Sequence, residues 1–452
     1  MTLGETAAGR RGRVPVRVVG VLAGLAAIAD LRTGQGPHAD AVVPWIGHAG
    51  GLLMIVFVAL LVLRCTRELT GTRPAPDAVP AAPAATFTPA EKCAVGLGAL
   101  VLQFAALYLA FLTTGHGFSA AAFWDAFQTR FGGYGDSEHY LYLAQYGYQD
   151  SGPKANLVVF YPLYPGLIWV FRSLFGGYVA AGLFISWACW AGACVSMLDL
   201  AARRFDRSRA ALAALLLALY PFSFFAMGVY TESLFLLLTL QCLLRIDRGR
   251  WAAAGVLGCL AALCRTQGVL LVLPAAYVWL RARREHGPRG PAGAFLLLIP
   301  AGFGGYLLLN RIVAGDWTAF LGYQRAAPWY QTAKWISVNL MQHYDMAHNY
   351  PGLAVHIYAA QLVLYFVAIG LLLYGVHAHA PTYLLMYGGA YLGLSYLSGW
   401  LISGPRYVFG CVPLFLLAAT PRHRAWQAVV PVAAALLFLC YCVFYMQGQS
   451  IL

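Results

Sequence analysis

Most of this chain consists of apolar runs about as long as a bilayer is thick, and that property excludes most folds. The runs fall near residues 14 to 29, 42 to 63, 93 to 113, 178 to 200, 210 to 228, 229 to 246, 251 to 280, 292 to 313, 352 to 374, 382 to 400, 402 to 419 and 426 to 446. A hydrocarbon core about 30 Å thick takes roughly 20 helical residues, and within lipid only helices or closed barrels satisfy their own backbone polar groups. The runs are continuous in Leu, Ala and Val rather than alternating, which excludes a barrel. Only 10% of the 452 residues are charged, against about 25% in soluble domains. The sequence therefore predicts an all-α polytopic membrane protein. The run at 251 to 280 is interrupted by CRTQG and reads as two short spans, giving about 13 transmembrane helices (range about 11 to 14) by the length rule.

The formal charge of +13 suggests a nucleic-acid surface until the basic residues are located. They cluster between the apolar runs, as RRGR (10 to 13), RRFDRSR (203 to 209), RIDRGR (245 to 250), RARRE (281 to 285) and RHR (422 to 424). Short basic loops of this kind follow the positive-inside rule. With the N-terminus inside, most of the basic residues are cytoplasmic, and the two long polar loops, about 114 to 160 and 314 to 350, are extracytoplasmic. Residues 158 to 177, VVFYPLYPGLIWVFRSLFGG, are apolar but short and carry two prolines and Arg172; they read as a partial helix that does not cross. Residues 1 to 63 read as a two-helix membrane appendage, 64 to 92 as a Pro/Ala-rich cytoplasmic linker, and 93 to 452 as the membrane core. The ten cysteines avoid both long loops, so they read as small core hydrophobes rather than a disulfide framework. The first apolar run has no clear cleavage site for a signal peptide.

Ionisable groups at membrane depth are costly, so those outside the basic loops are the candidates for function. The stretch GYGDSEHYLYLAQYGYQD (133 to 150) groups Asp136, Glu138 and His139. Asp136 has two compatible readings: a general base accepting the proton of an acceptor hydroxyl, or the N-cap of the helix that follows. Glu138 reads as solvated or as part of a pocket, and His139 as interfacial or as a contact to an anionic ligand. VVFYPLYP reads as a turn at the membrane surface. YTES (230 to 233) puts Tyr230 and Glu232 at the outer start of a span, where a carboxylate is also favoured by the helix dipole. Arg265 in CRTQG is either a cation for a lipid phosphate or an interfacial arginine reaching water. Asp316, Gln324, Arg325 and Trp329 in the second loop, and Arg406 in SGPRY, complete a set of outer-facing polar and aromatic residues suited to an anionic, amphipathic substrate. The HAHA at 377 to 380 lacks the partners of a metal site, and no cofactor motif is present in the sequence.

In order along the chain, these motifs resemble the GPI mannosyltransferase II (PIG-V) family and its bacterial relatives, members of the C-type glycosyltransferase superfamily. GDSEHYLYLAQYGY and FYPLYP resemble the family's W-D-x-x-H-[FY], I-A-x-x-G-Y and F-[FY]-P-x-[FY]-P blocks. YTESLF, CRTQG, GDWTAF and SGPRY look like its later blocks, so the resemblance covers roughly residues 93 to 446. A second Trp-Asp pair stands in FWDAF (123 to 127). The family's Gly-Tyr pair comes eleven residues after its aspartate, the distance from Asp136 to Gly147, so the resemblance assigns the base to Asp136 rather than Asp125. The chain departs from the pattern in lacking the Trp before Asp136 and in having CRTQG where the family more often has Arg-Ser-Asn-Gly.

What the resemblance implies is an inverting mannosyltransferase of the bacterial plasma membrane, with its active site outside. It would use a polyprenyl-phosphate sugar donor and a glycan, glycolipid or protein acceptor, with no cofactor and no nucleic acid. Asp136 would be the base, Arg265 and Arg406 phosphate ligands, and Glu138, His139, Tyr230, Glu232 and Gln324 pocket residues. A flippase of polyprenyl-linked sugars and a non-catalytic scaffold are the other classes compatible with the sequence.

Overall fold

The structure, a computed structural model, describes residues 13–34, 38, 40–71, 85–115, 117–287, 291–399, 401 and 403–451. The first three residues of the RRGR cluster, and the Pro/Ala-rich part of the expected linker, lie outside the described residues. Among the described residues every regular element is helical, and the one extended pairing is an isolated bridge between Ala333 and Ser398.

Helices α1 (Arg13–Leu31) and α2 (Val43–Thr70) form a hairpin, followed by α3 (Pro89–Leu112). The first long loop holds α4 (Ala120–Gly132), α5 (Asp136–Tyr146) and a 3₁₀ turn (Ala155–Val159), then leads into α6 (Leu163–Phe171). The central body is built from α7 (Tyr178–Ala202), α8 (Arg207–Ala218), α9 (Glu232–Asp247), α10 (Trp251–Cys264), α11 (Val272–His286) and α12 (Leu298–Ala314). The second loop carries α13 (Ala319–Arg325) and α14 (Ile336–Asn349). The chain ends with α15 (Pro351–His377), α16 (Thr382–Tyr396), the short α17 (Gly404–Phe409) and α18 (Pro413–Ala418), and α19 (Arg424–Met446).

Among the described residues six helices are long and apolar enough to cross a membrane: Val43–Thr70, Pro89–Leu112, Tyr178–Ala202, Ala292–Ala314, Pro351–His377 and Arg424–Met446. Each coincides with an expected apolar run. The runs at 210 to 228, 229 to 246, 382 to 400 and 402 to 419 instead yield helices of 6 to 16 residues. The segment at 158 to 177 gives only nine helical residues, about 14 Å at 1.5 Å per residue and too short for a helical crossing. Large apolar side chains stand exposed on α1, α2, α3 and α19, including Leu22, Val56, Val101 and Leu436. On a chain of this composition such surfaces suit lipid contact rather than water.

The core is centred on α7 and α9, both in contact with each other, with α8 and α3 against α7 and α10 between α9 and α12. The N-terminal hairpin is tied into this body: α2 packs on α14, α15 and α16. Fully buried Phe57 lies so close to Gly389 that a Cβ there would meet its ring at 2.2 Å. All ten cysteines are unpaired.

Candidate functional site

At the start of α9, Asp136, Glu232, Arg265 and Arg406 converge from four separate segments. Arg406 donates from Nη1 to Asp136 Oδ2 (2.8 Å) and from Nε to Glu232 Oε1 (3.0 Å), and its Nη2 lies 2.9 Å from the same Glu232 oxygen. Arg265 Nη1 lies 3.0 Å from Glu232 Oε1 and donates to Thr231 Oγ1 at 3.1 Å. Glu232 and Arg406 are buried, with side chains 2% and 9% exposed, whereas the Asp136 side chain is 34% exposed. Asp136 is thus the carboxylate of the cluster that another molecule can reach.

Local sequence explains each placement. Asp136 is the first residue of α5, and the N-cap is Gly135, with no side-chain cap bond. The capping reading of Asp136 is therefore corrected: its carboxylate is drawn away by Arg406. Gly135 adopts φ +65° and ψ −136°, a conformation that side chains with a Cβ avoid. The turn before it is held by Ser137 Oγ, which accepts from the Tyr134 N–H (2.9 Å) and donates to the Tyr134 carbonyl (2.7 Å). Gly147, at φ +74°, closes the same helix, so the eleven-residue interval in the sequence is one short helix bounded by two glycines. Asp125 of the other Trp-Asp pair is exposed on α4 and takes no part in the cluster.

Arg265 owes its position to a break in the chain. Helix α10 ends at Cys264, Arg265 is extended (φ −155°, ψ 150°), and a 3₁₀ helix (Thr266–Leu271) follows. Gly268 permits this return, since a Cβ there would sit 2.2 Å from the Ala261 carbonyl carbon. Arg406 lies within the six-residue α17, where Pro405 is anchored through its carbonyl, which accepts from Tyr220 Oη (2.7 Å). Both guanidiniums rest on aromatic rings: Arg406 on Phe225 (4.7 Å) and Tyr230 (4.9 Å), Arg265 on Tyr407 (5.2 Å). Cation–π contacts of this kind partly offset the desolvation of a buried cation.

The other expected residues divide. Tyr230 belongs to the cluster, but its hydroxyl is committed, donating to the Tyr134 carbonyl (3.0 Å) and lying 3.3 Å from Tyr445 Oη. It braces the turn that presents Asp136. His139, one helical turn along α5, packs on Phe160 (ring centroids 5.1 Å), and its Nδ1 is buried without a partner. Burial pushes its imidazole below the ordinary value, with Asp136 opposing. Glu138 is exposed, because residues two apart on a helix face different ways. Gln324 is half-buried in α13, outside the four segments that meet at the cluster. Asp316 is spent on its own turn, accepting from the Thr318 N–H (2.9 Å) and hydroxyl (3.1 Å). Trp329 is nearer, packing edge-on against Phe160 (6.1 Å).

The aromatics of FYPLYP serve as packing. Tyr161 stacks on Tyr306 (3.8 Å) and shares a 2.7 Å hydrogen bond with Thr266 of the broken segment. Tyr164 donates to the Gly182 carbonyl (3.0 Å). Two residues of the site were not named from the sequence, Thr231 although it stands within YTES, and Tyr391. Thr231 bonds Arg265. Tyr391, in the middle of an apolar run, lines a small cavity with Glu232, Arg265, Arg406 and Gly410. Among the described residues no cluster of three His, Cys, Asp or Glu side chains is arranged for a metal.

No family model matches the chain, and a search of characterised proteins gives no sequence match. Among solved structures, the apo form of the Archaeoglobus fulgidus oligosaccharyltransferase is similar at a TM-score of 0.39 and 12% identity, over 77% of this chain and 56% of that one. The chain thus spans little more than half of that protein's length, and both identity and TM-score lie below what establishes a common fold.

Proposed function

We propose that the chain is an inverting membrane glycosyltransferase that moves a mannose-type sugar from a polyprenyl-phosphate donor to an acceptor hydroxyl, with Asp136 as general base. The reading includes a bacterial plasma-membrane protein of about 13 crossings with the site on the extracytoplasmic side and the catalytic body over residues 93 to 452. The observation that carries it is the accessible Asp136 carboxylate, fixed by Arg406 at the start of a short helix and neighboured by a second guanidinium, Arg265. The ordered motifs of the sequence, GDSEHY to SGPRY, supply the substrate class.

Inverting transfer needs a base on the acceptor side and positive charge on the leaving-group side. The acceptor oxygen forms a bond to the anomeric carbon as its proton passes to Asp136. The bond from that carbon to the phosphate oxygen breaks, and its electron pair leaves with the polyprenyl phosphate. The apolar surfaces of the surrounding helices suit the polyprenyl tail.

The test is reconstitution of the full chain in liposomes with polyprenyl-phosphate mannose and a soluble mannoside acceptor. A new glycosidic bond, lost in Asp136→Asn while the protein still folds, is the expected result. Full transfer by Asp136→Asn overturns the base assignment, and lipid translocation without any product makes the chain a flippase.

A further inference from the structure

The ion cluster occupies one end of α5, and a cleft stands at the other. Beyond Gly147 the chain turns, and Tyr148, Gln149, Asp150 and Ser151 line a space of about 460 Å³ against Ile312 and Val313 in the last turn of α12. That volume lies in the range of small-ligand sites. Helix α5 has 11 residues, so at 1.5 Å per residue the cleft begins about 16 Å from Asp136. One extended ligand can reach both ends.

The polar lining is fixed by its own hydrogen bonds. Tyr148 Oη donates to the Phe160 carbonyl (2.8 Å), Gln149 Nε2 donates to Tyr142 Oη (2.6 Å), and Ser151 Oγ donates to Asp150 Oδ1 (2.8 Å). The Tyr142 ring also carries Lys154 Nζ, 5.2 Å from its centroid. Asp150 and Ser151 are exposed, Gln149 is half-buried, and Ile312 is 72% exposed. Phe160 joins the cleft to the base: its carbonyl holds Tyr148, and its ring packs against His139 (5.1 Å) and Trp329 (6.1 Å). Between the two ends, His139 Nδ1 is buried without a hydrogen-bond partner.

The chemistry of the lining selects among ligands. Amide, hydroxyl and carboxylate groups beside a tyrosine ring offer donors, acceptors and an apolar face together. A sugar needs all three, because its hydroxyls donate and accept while its C–H faces are apolar. An exposed carboxylate repels an anionic chain. A lipid tail calls for apolar walls, which Ile312 and Val313 supply on one side only.

We propose that this cleft binds a neutral oligosaccharide, and that the acceptor is the end of a sugar chain whose inner residues lie in it. The terminal hydroxyl meets Asp136, while residues further back lie against Tyr148 and bond to Gln149 and Asp150. The role of that chain as acceptor rests on the transferase reading.

Binding of oligosaccharides to the full chain in nanodiscs, with no donor present, tests the site. The probes are ladders of mannose, glucose or galactose units from mono- to hexasaccharide, with a uronic-acid hexasaccharide for comparison. In at least one neutral ladder affinity is expected to rise with length. Gln149→Ala weakens the longest member of that ladder about fivefold, the loss of one neutral hydrogen bond. Ile312→Trp fills the cleft from an exposed position and removes the dependence on length. In the transfer assay both variants raise the KM of a long acceptor more than they lower kcat.

No rise of affinity with length in any neutral ladder, wild-type affinity in both variants, or tighter binding of the uronic-acid chain overturns the proposal. Equal transfer to monosaccharide and longer acceptors keeps the transferase reading and overturns the extended acceptor. Length-dependent binding that Ile312→Trp removes, with no sugar transferred, sinks the transferase reading and leaves the oligosaccharide site standing.

Discussion

Two ion clusters sit at opposite ends of α9, and they are built differently. At its C-terminal end Asp247 meets Arg204 Nη2 (2.5 Å), Arg203 Nε and Tyr383 Oη (3.0 Å). Next to Tyr383, Thr382 donates to Glu68, which also takes Tyr277 Oη and Arg64 Nε (2.9 Å). Both Glu68 oxygens are satisfied, while Arg64 Nη1 is buried without a partner. At the N-terminal end, about 24 Å away for a 16-residue helix, Glu232 leaves one oxygen unpartnered and Tyr391 leaves its hydroxyl unpartnered. Satisfied networks hold a fold together, while an unsatisfied buried polar group is costly. The contrast separates two ion clusters of similar composition, one closed on itself and the other holding the proposed catalytic base.

The sharpest way to break that comparison is to disable each cluster and read both activity and stability. Asp136→Asn is expected to lower transfer by about 10²- to 10⁴-fold, the usual contribution of a general base, with the thermal unfolding midpoint nearly unchanged. Glu68→Ala is expected to do the reverse. It strands Arg64 and removes the acceptor shared by Thr382 and Tyr277, costing about 3–5 kcal/mol of stability, read as a lowered unfolding temperature, while the folded fraction keeps its activity per molecule.

A smaller effect is expected at the turn that presents the base. Gly135→Ala forces a Cβ into φ +65°, costing about 1–3 kcal/mol, and lowers kcat more than it raises the donor KM, because Asp136 is re-aimed.

Smaller still is a pH effect at the docking of the second loop on the N-terminal hairpin. His38 Nδ1 lies 2.8 Å from Asp345 Oδ2, and this hydrogen bond, together with one to the Gly34 carbonyl, raises the imidazole above its ordinary value despite some burial. A raised histidine contributes stability below its unfolded value of about 6.5 and loses it as pH rises through the folded value. Hydrogen exchange of α14 is therefore expected to quicken from pH 6 to pH 8 in the wild type, and to show no such change in His38→Gln. Asp125→Asn, the exposed member of the other Trp-Asp pair, is expected to change neither activity nor stability.

Local features were legible where a single segment decides them. The CRTQG interruption predicts a break, and α10 does end one residue before Arg265, because a charged, glycine-containing stretch cannot continue an apolar helix cheaply. The interval from Asp136 to Gly147 marks a short helix, since glycine alone tolerates the positive φ at both ends. Glu138 stands apart from the ion cluster for a geometric reason: it lies two residues from Asp136 on one helix and faces another way. Tyr391 went unseen because a tyrosine inside an apolar run resembles packing until its hydroxyl is found without a partner.

The sequence by itself determined a helical chain of apolar runs, six of which coincide with the long helices found among the described residues, and the polar segments from which a site could be drawn. It did so because apolar run length and glycine placement act within a few residues. Only the tertiary structure decided that Asp136 and Arg406, 270 positions apart, share a hydrogen bond, that Glu232 bridges two guanidiniums, and that Tyr391 faces the same cavity. Those contacts join helices that meet only when the whole body has packed, and no local pattern encodes which ends of which helices will meet.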